Sequence, residues 1–146
     1  MKITIEPSPP DGEDEIIIRA DNLDDRVLKL IAELKNERTR MTGTLPDGSI
    51  TVVDPKQVYY FESVDKKVFA YGKSDVIELR SKLYELEEML AGTDFVRVSK
   101  SVIADLSKIR RLAPHLNGRF EAELANGEKI VISRQYVPQL REYFGI

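Results

Sequence analysis

Two short polar steps carry the side chains of this chain best suited to chemistry. Lys100 stands between Ser99 and Ser101, directly after the apolar run Phe95-Val96-Arg97-Val98, and Arg134 follows Ser133 at the end of Lys129-Ile130-Val131-Ile132. The chemistry such groups offer is recognition rather than bond-making. A guanidinium fork matches paired acceptors, and serine hydroxyls donate to anions while a lysine ammonium supplies a point charge. Lys66 and Lys67, in the polar stretch Ser63-Val64-Asp65-Lys66-Lys67, add two further cations. Catalytic sets are not in evidence. The single histidine, His115, has no cysteine or second histidine to complete a metal set, and Glu85, Glu87 and Glu88 fall on one helical stretch. The eight glycines are scattered among turn signals, with no phosphate-cradling loop. We expect no enzyme, no cofactor and no metal.

The elements that must position these residues are mostly strands. Met41 to Thr44 and Ile50 to Val53 flank Leu45-Pro46-Asp47-Gly48-Ser49, a hairpin signal. Val58 to Glu62 and Val68 to Tyr71 read as strands about the Lys66-Lys67 turn, and Val76 to Leu79 as another. Ser81 is placed to cap a helix with Leu83, Leu86 and Leu90 as its apolar stripe, stopped by Gly92. Asn117-Gly118 and Asn126-Gly127 suggest two-residue hairpins joining Lys108 to Leu112, Arg119 to Leu124 and Lys129 to Ile132. Ser133 then caps a last helix with Val137, Leu140, Tyr143 and Phe144 inward, although Pro138 blurs its start. Tyr59, Tyr60, Phe61, Phe95 and Phe120 read as core.

The first 40 residues form a different kind of segment. Lys2 to Glu6 and Glu15 to Arg19 read as strands about a turn of Pro7, Pro9, Pro10, Asp11 and Gly12. A helix follows, capped at Asp21 or Asn22, with Leu23, Val27, Leu30, Ile31 and Leu34 at helical spacing. A ββα unit of this size buries too little surface to stand alone, so it must pack on the remainder or on a second copy.

The 146 residues, 42% hydrophobic and 32% charged, suit a folded chain of one domain with an appendage. No apolar run is long enough to span a membrane, the start lacks a signal peptide's continuous apolar stretch, and there is no cysteine. A cytoplasmic location is the expectation. Net charge is −3, but unevenly spread: residues 1–95 hold 13 basic and 20 acidic side chains (−7), residues 96–146 hold 9 and 5 (+4). A basic third on an acidic body can orient a protein on a polyanion.

Taken in order, Val58-Tyr59-Tyr60-Phe61-Glu62-Ser63, the helical stretch Leu79 to Leu86, the Phe95-to-Ile103 block and Ile132-Ser133-Arg134 resemble the LytTR family of DNA-binding domains over about residues 41–146. The resemblance implies a mostly β fold with short helices (α+β), an elongated antiparallel β-sheet body, preceded here by the small ββα unit of residues 1–40. It implies a transcription regulator that reads promoter major grooves through loops on a β-scaffold. Three loop sites carry over: the turn with Lys66 and Lys67, the step Ser99-Lys100-Ser101, and Ser133-Arg134. At the second site the chain departs from the family, which commonly has Asn where Lys100 stands. Asn reads an adenine edge, whereas Lys reads guanine or grips phosphate. The implied partner is double-stranded promoter DNA, bound by a homodimer on repeated half-sites. Residues 1–40 are then a candidate dimer or partner interface, and a small integral membrane protein that restrains the regulator is a further expected partner. A segment as short as this cannot supply a receiver domain.

Plainer accounts exist for the same residues. Lys66 and Lys67 suit any solvated hairpin, Ser99 and Ser101 suit a turn, and Arg134 suits a pair with Glu142 or Glu128. Lys108, Arg110 and Arg111 read either as a solvated face or as a source of nonspecific attraction to DNA. The competing function is a protein-interaction or dimerisation module that does not itself read DNA.

Overall fold

The computed structural model describes residues 2–12, 14–38 and 41–146. The chain divides into two compact units, Met1–Lys35 and Asn36–Ile146. The boundary expected at residue 40 falls on Thr39-Arg40, outside the described residues.

The expected helix forms as α1 (Asp25–Arg38), most of it in the first unit and its last residues in the second. Its cap is Asp24 rather than Asp21 or Asn22: the Val27 N–H donates to Asp24 Oδ1 at 3.0 Å. The two expected strands do not form, and the described residues before Asp25 carry no strand. Three prolines lack N–H groups for a ladder, and a lone two-stranded hairpin is marginal in water. Ile3 and Ile5 accordingly stay 85% and 90% exposed, with Ile16, Ile17 and Ile18 also exposed.

The second unit is built from ten strands: β1 (Met41–Thr44), β2 (Ile50–Val53), β3 (Val58–Val64), β4 (Lys67–Gly72), β5 (Val76–Leu79), β6 (Phe95–Ser99), β7 (Val102–Asp105), β8 (Ile109–Pro114), β9 (Phe120–Leu124) and β10 (Lys129–Ile132). Two helices join them, α2 (Leu83–Met89) and α3 (Val137–Phe144). All pairings are antiparallel. One sheet runs β2-β1-β5-β4-β3-β7-β6 and the other β10-β9-β8. The chain is thus mostly β with short helices, as expected. Gly43 lets β1 approach β5, because a Cβ there would collide with the Ile77 side chain and the Glu78 carbonyl.

Two cores flank the larger sheet. α2 lays Leu83, Leu86 and Leu90 against Met41, Val58, Phe61, Val68 and Ile103. The smaller sheet and α3 bring Ala122, Ile132, Val137 and Leu140 onto Val98, Val102, Ala104 and Leu106. Strand β7 is buried on both faces, giving Ile103 to one core and Val102 and Ala104 to the other. The aromatic residues are packing groups, as expected: Phe61 is fully buried, and Tyr60 stacks on Tyr71 at 4.6 Å. Burial, with the Glu128 carboxylate beside it, pushes the Tyr60 phenol well above its ordinary range.

Several local details depart from expectation. The Glu85 side chain accepts from the Lys82 N–H at 3.0 Å, so Lys82 rather than Ser81 is the cap of α2. Ser133 makes no side-chain cap; a 3-10 turn, Arg134–Tyr136, comes between it and α3. Tyr143 faces outward at 42% exposure and its hydroxyl meets Asp94 at 2.9 Å. Neither Asn-Gly pair forms a two-residue hairpin. Asn117 and Gly118 do both take positive φ (61° and 75°), but inside a five-residue link, and Asn126 does not take one at all.

Candidate nucleic-acid interface

The three polar steps separated in sequence are neighbours in the second unit. Strands β3 and β7 pair with Glu62 opposite Val102, so the β3–β4 turn and the β6–β7 turn share one end of the sheet. The Ser63 N–H donates to the Ser101 carbonyl at 2.8 Å and ties the two turns together. On the other side of β6, the Ser133 N–H donates to the Val98 carbonyl at 2.8 Å. A bulge between Arg97 and Ser99 places two β6 residues against one on β7 at this point. The order across the edge is therefore Lys66, then Lys100 and Ser101, then Ser133-Arg134. With strands spaced about 4.8 Å, the row runs roughly 15–20 Å.

Each turn is held rigidly. Asp65 and Lys66 have φ of 49° and 66°, a two-residue turn with both residues left-handed and neither a glycine. Sequence reasoning missed this geometry because the usual Asn-Gly or Asp-Gly signal is absent. Lys66 is exposed at its tip, while Lys67 begins β4 with its ammonium 3.6 Å from Glu78 Oε1. In the next turn Ser99 Oγ accepts from the Ser101 N–H at 3.3 Å, which leaves its O–H free to donate. Lys100 is exposed between them.

Arg97 is the residue that sequence reasoning overlooked here. Its Nε donates to Glu87 Oε2 of α2 at 3.0 Å, and its Nη1 donates to the Lys100 carbonyl at 2.6 Å. One guanidinium thus anchors the β6–β7 turn to the helix behind it. Its place three residues before Lys100 is the only sequence signal for this role.

Arg134 is exposed, and its stem lies along Gly118: a Cβ at Gly118 would stand 3.0 Å from Arg134 Cδ. The alternative pairing of Arg134 with Glu142 or Glu128 is absent, and no ion pair engages Lys66, Lys100 or Arg134 among the described residues. Three cations are therefore presented without a carboxylate partner, on turns that the sheet holds in register. Such an edge can grip phosphates and reach acceptors on base edges.

Lys108, Arg110 and Arg111 are not part of it. The Lys108 ammonium donates to the carbonyls of Lys56 and Val58 at 2.5 and 2.6 Å, sits 3.6 Å from Asp105 and lies 4.9 Å over the Tyr59 ring. It is an internal staple. Arg110 pairs with Glu123 at 2.8 Å, and Arg111 lines a shallow depression shared with Glu121, Glu123 and Lys129. The Lys108 and Arg110 charges are met by the protein's own carbonyls and carboxylates, while Arg111 is exposed.

Known proteins resemble the chain in this same region. Residues 48–145 match the family described as LytTr DNA-binding domain. The sensory transduction protein LytT of Enterococcus faecalis is 27% identical over 100 residues, 68% of this chain, which spans only 41% of that protein's length. An uncharacterized HTH-type transcriptional regulator of Staphylococcus aureus strain MSSA476 is 26% identical over 147 residues, covering all of this chain and 99% of that protein. A solved LytTr DNA-binding domain from Bacillus cereus superposes with a TM-score of 0.67 at 26% identity, covering 73% of this chain and 97% of that one.

Proposed function

The chain belongs to the LytTr DNA-binding domain family, and from that premise we propose that it is a sequence-specific transcription regulator reading promoter DNA through the edge of turns on its larger sheet. The observation that supports this reading is the convergence of Lys66, Lys100 and Arg134, far apart in sequence, on one row of backbone-tethered turns. The row is longer than the ~12 Å width of one major groove, which favours contacts running from one groove past a backbone to the next. Arg134 and Lys100 carry the base readout, Arg134 with a fork suited to guanine O6 and N7. Lys66, Ser99 and Ser101 hold phosphates and set the register, and Lys67 joins them by exchanging its exposed pair with Glu78 for a phosphate. The action is binding, with no catalytic step.

Residues 1–40 in this reading serve as the dimer interface, so that two reading edges meet repeated half-sites on one duplex. Support comes from the apolar side chains of Ile16, Ile17, Ile18, Leu23 and Leu28, all exposed in the first unit. A restraining integral membrane protein would use the same surface. Cytoplasmic location fits this role; no helix among the described residues is long and apolar enough to cross a membrane.

The test is selection of genomic DNA fragments by the purified chain, with the Lys100→Ala, Arg134→Ala double variant in parallel. Wild type is expected to recover a shared repeated motif that the variant does not. Arg134→Ala alone should keep the fold and weaken binding to that motif ~10-fold or more. Fragments bound without preference by both proteins would instead support the interaction-module reading.

A further inference from the structure

We propose that the turn Leu116-Asn117-Gly118, between β8 and β9, is a further DNA contact, in which the Leu116 side chain takes up a thymine methyl group beside the base that Arg134 reads. The inference rests on the DNA reading proposed above.

Position comes first. Ile132 pairs with Phe120, so the Ser133-Arg134 step leaves β10 alongside Arg119 and Gly118. Gly118 underlies the Arg134 stem, and this turn is the next loop in the row that begins at Lys66. In this proposal the tip of the turn, beside the Arg134 stem, enters the same groove as Arg134.

The turn is also held in place. The His115 N–H donates to the Arg119 carbonyl at 2.8 Å, and Arg119 Nε donates to the Leu116 carbonyl at 3.0 Å. Two consecutive left-handed residues, Asn117 and Gly118, fix its shape. This is the device seen at the β6–β7 turn, where Arg97 fixes the Lys100 carbonyl. In both places an arginine locks the backbone of an exposed residue on the same edge.

Chemistry selects the ligand. Leu116 is 72% exposed, more than any other large apolar residue in the basic stretch 96–146. His115 Nδ1 lies 3.9 Å from Glu121 Oε2, at the base of the turn behind the tip. Among the groups that a duplex displays in its major groove, the thymine C5 methyl is the apolar one, and an aliphatic side chain is its natural partner.

In the motif selected by the full chain, each thymine is replaced by deoxyuridine, which removes only the methyl. At one position near the Arg134-dependent guanine, wild type is expected to lose about fourfold in affinity, the value of one buried methyl-sized group. Leu116→Ala should bind the thymine and deoxyuridine duplexes equally. Wild type indifferent to every replacement, or Leu116→Ala as sensitive as wild type, would overturn the proposal. A motif that is selected, and lost in Arg134→Ala, while no methyl matters, removes this inference and leaves the DNA reading intact. Absence of any shared motif removes both.

Discussion

Gly118 is where a single atom decides what Arg134 can do. The residue sits at φ +75°, and an added Cβ would press on the Arg134 stem at 3.0 Å from Cδ. Gly118→Ala should therefore act twice. The left-handed backbone costs about 1–2 kcal/mol once a Cβ is present, and a displaced Arg134 loses its alignment on the duplex. The expected outcome is a small drop in melting temperature together with a several-fold loss of binding to the selected motif. Binding to an unrelated duplex should be unchanged. Equal losses on both duplexes would mean that Gly118 serves stability alone. At this scale the sequence offered candidates chiefly through the family resemblance, which picked out Ser99-Lys100-Ser101 and Ser133-Arg134. Arg97, Gly118 and Leu116 were hidden, because their roles depend on which carbonyl or stem the fold brings beside them. The role of Lys108 was hidden for the same reason: its ammonium is held by the carbonyls of Lys56, in the turn before β3, and Val58, at the start of β3.

At the scale of elements, strand and helix positions from Met41 onward followed from apolar alternation and held within a few residues, whereas the two strands expected before Asp25 did not form and the turns were misjudged. The Asn-Gly pairs promised tight hairpins and gave longer links, whereas Asp65-Lys66 formed the tight turn unannounced. Register explains this: cross-strand partners fix how many residues remain for the connection, and that count is tertiary information. Two non-glycine residues in the left-handed region are a strained choice, one that keeps a lysine at the tip. Replacing them with Asn-Gly (Asp65→Asn, Lys66→Gly) should raise stability by ~1 kcal/mol, read as a higher denaturation midpoint. The same variant should lower the slope of log K against log salt by about 1, since one phosphate contact is gone. An unchanged slope would take Lys66 out of the interface. Helices play a supporting part: among the described residues no two α-helices are consecutive, so the helix-turn-helix in the S. aureus relative's name has no counterpart here. What faces the duplex in our reading is loops.

For the whole molecule, the division of labour follows the division of the chain. The hydrophobic cores of the second unit draw on residues 41 to 140, from Met41 to Leu140, so residues 41–146 alone should fold and melt in one calorimetric transition close to that of the full chain. Sedimentation at matched concentrations should show less self-association for this fragment, because the exposed isoleucines of the first unit have gone. A fragment that associates as strongly as the full chain would place the dimer contact elsewhere. The acidic-to-basic gradient was legible in the sequence, but which cations were free was not, because carboxylate partners are chosen by sheet order. The doubly buried strand β7 carries one more implication. Its alternate residues belong to opposite cores, and the β6–β7 turn ends on that strand. Loss of either layer is therefore expected to loosen the reading edge as well, so that a cell that destabilises this protein would lose copies able to read DNA more than it would accumulate copies that read it badly.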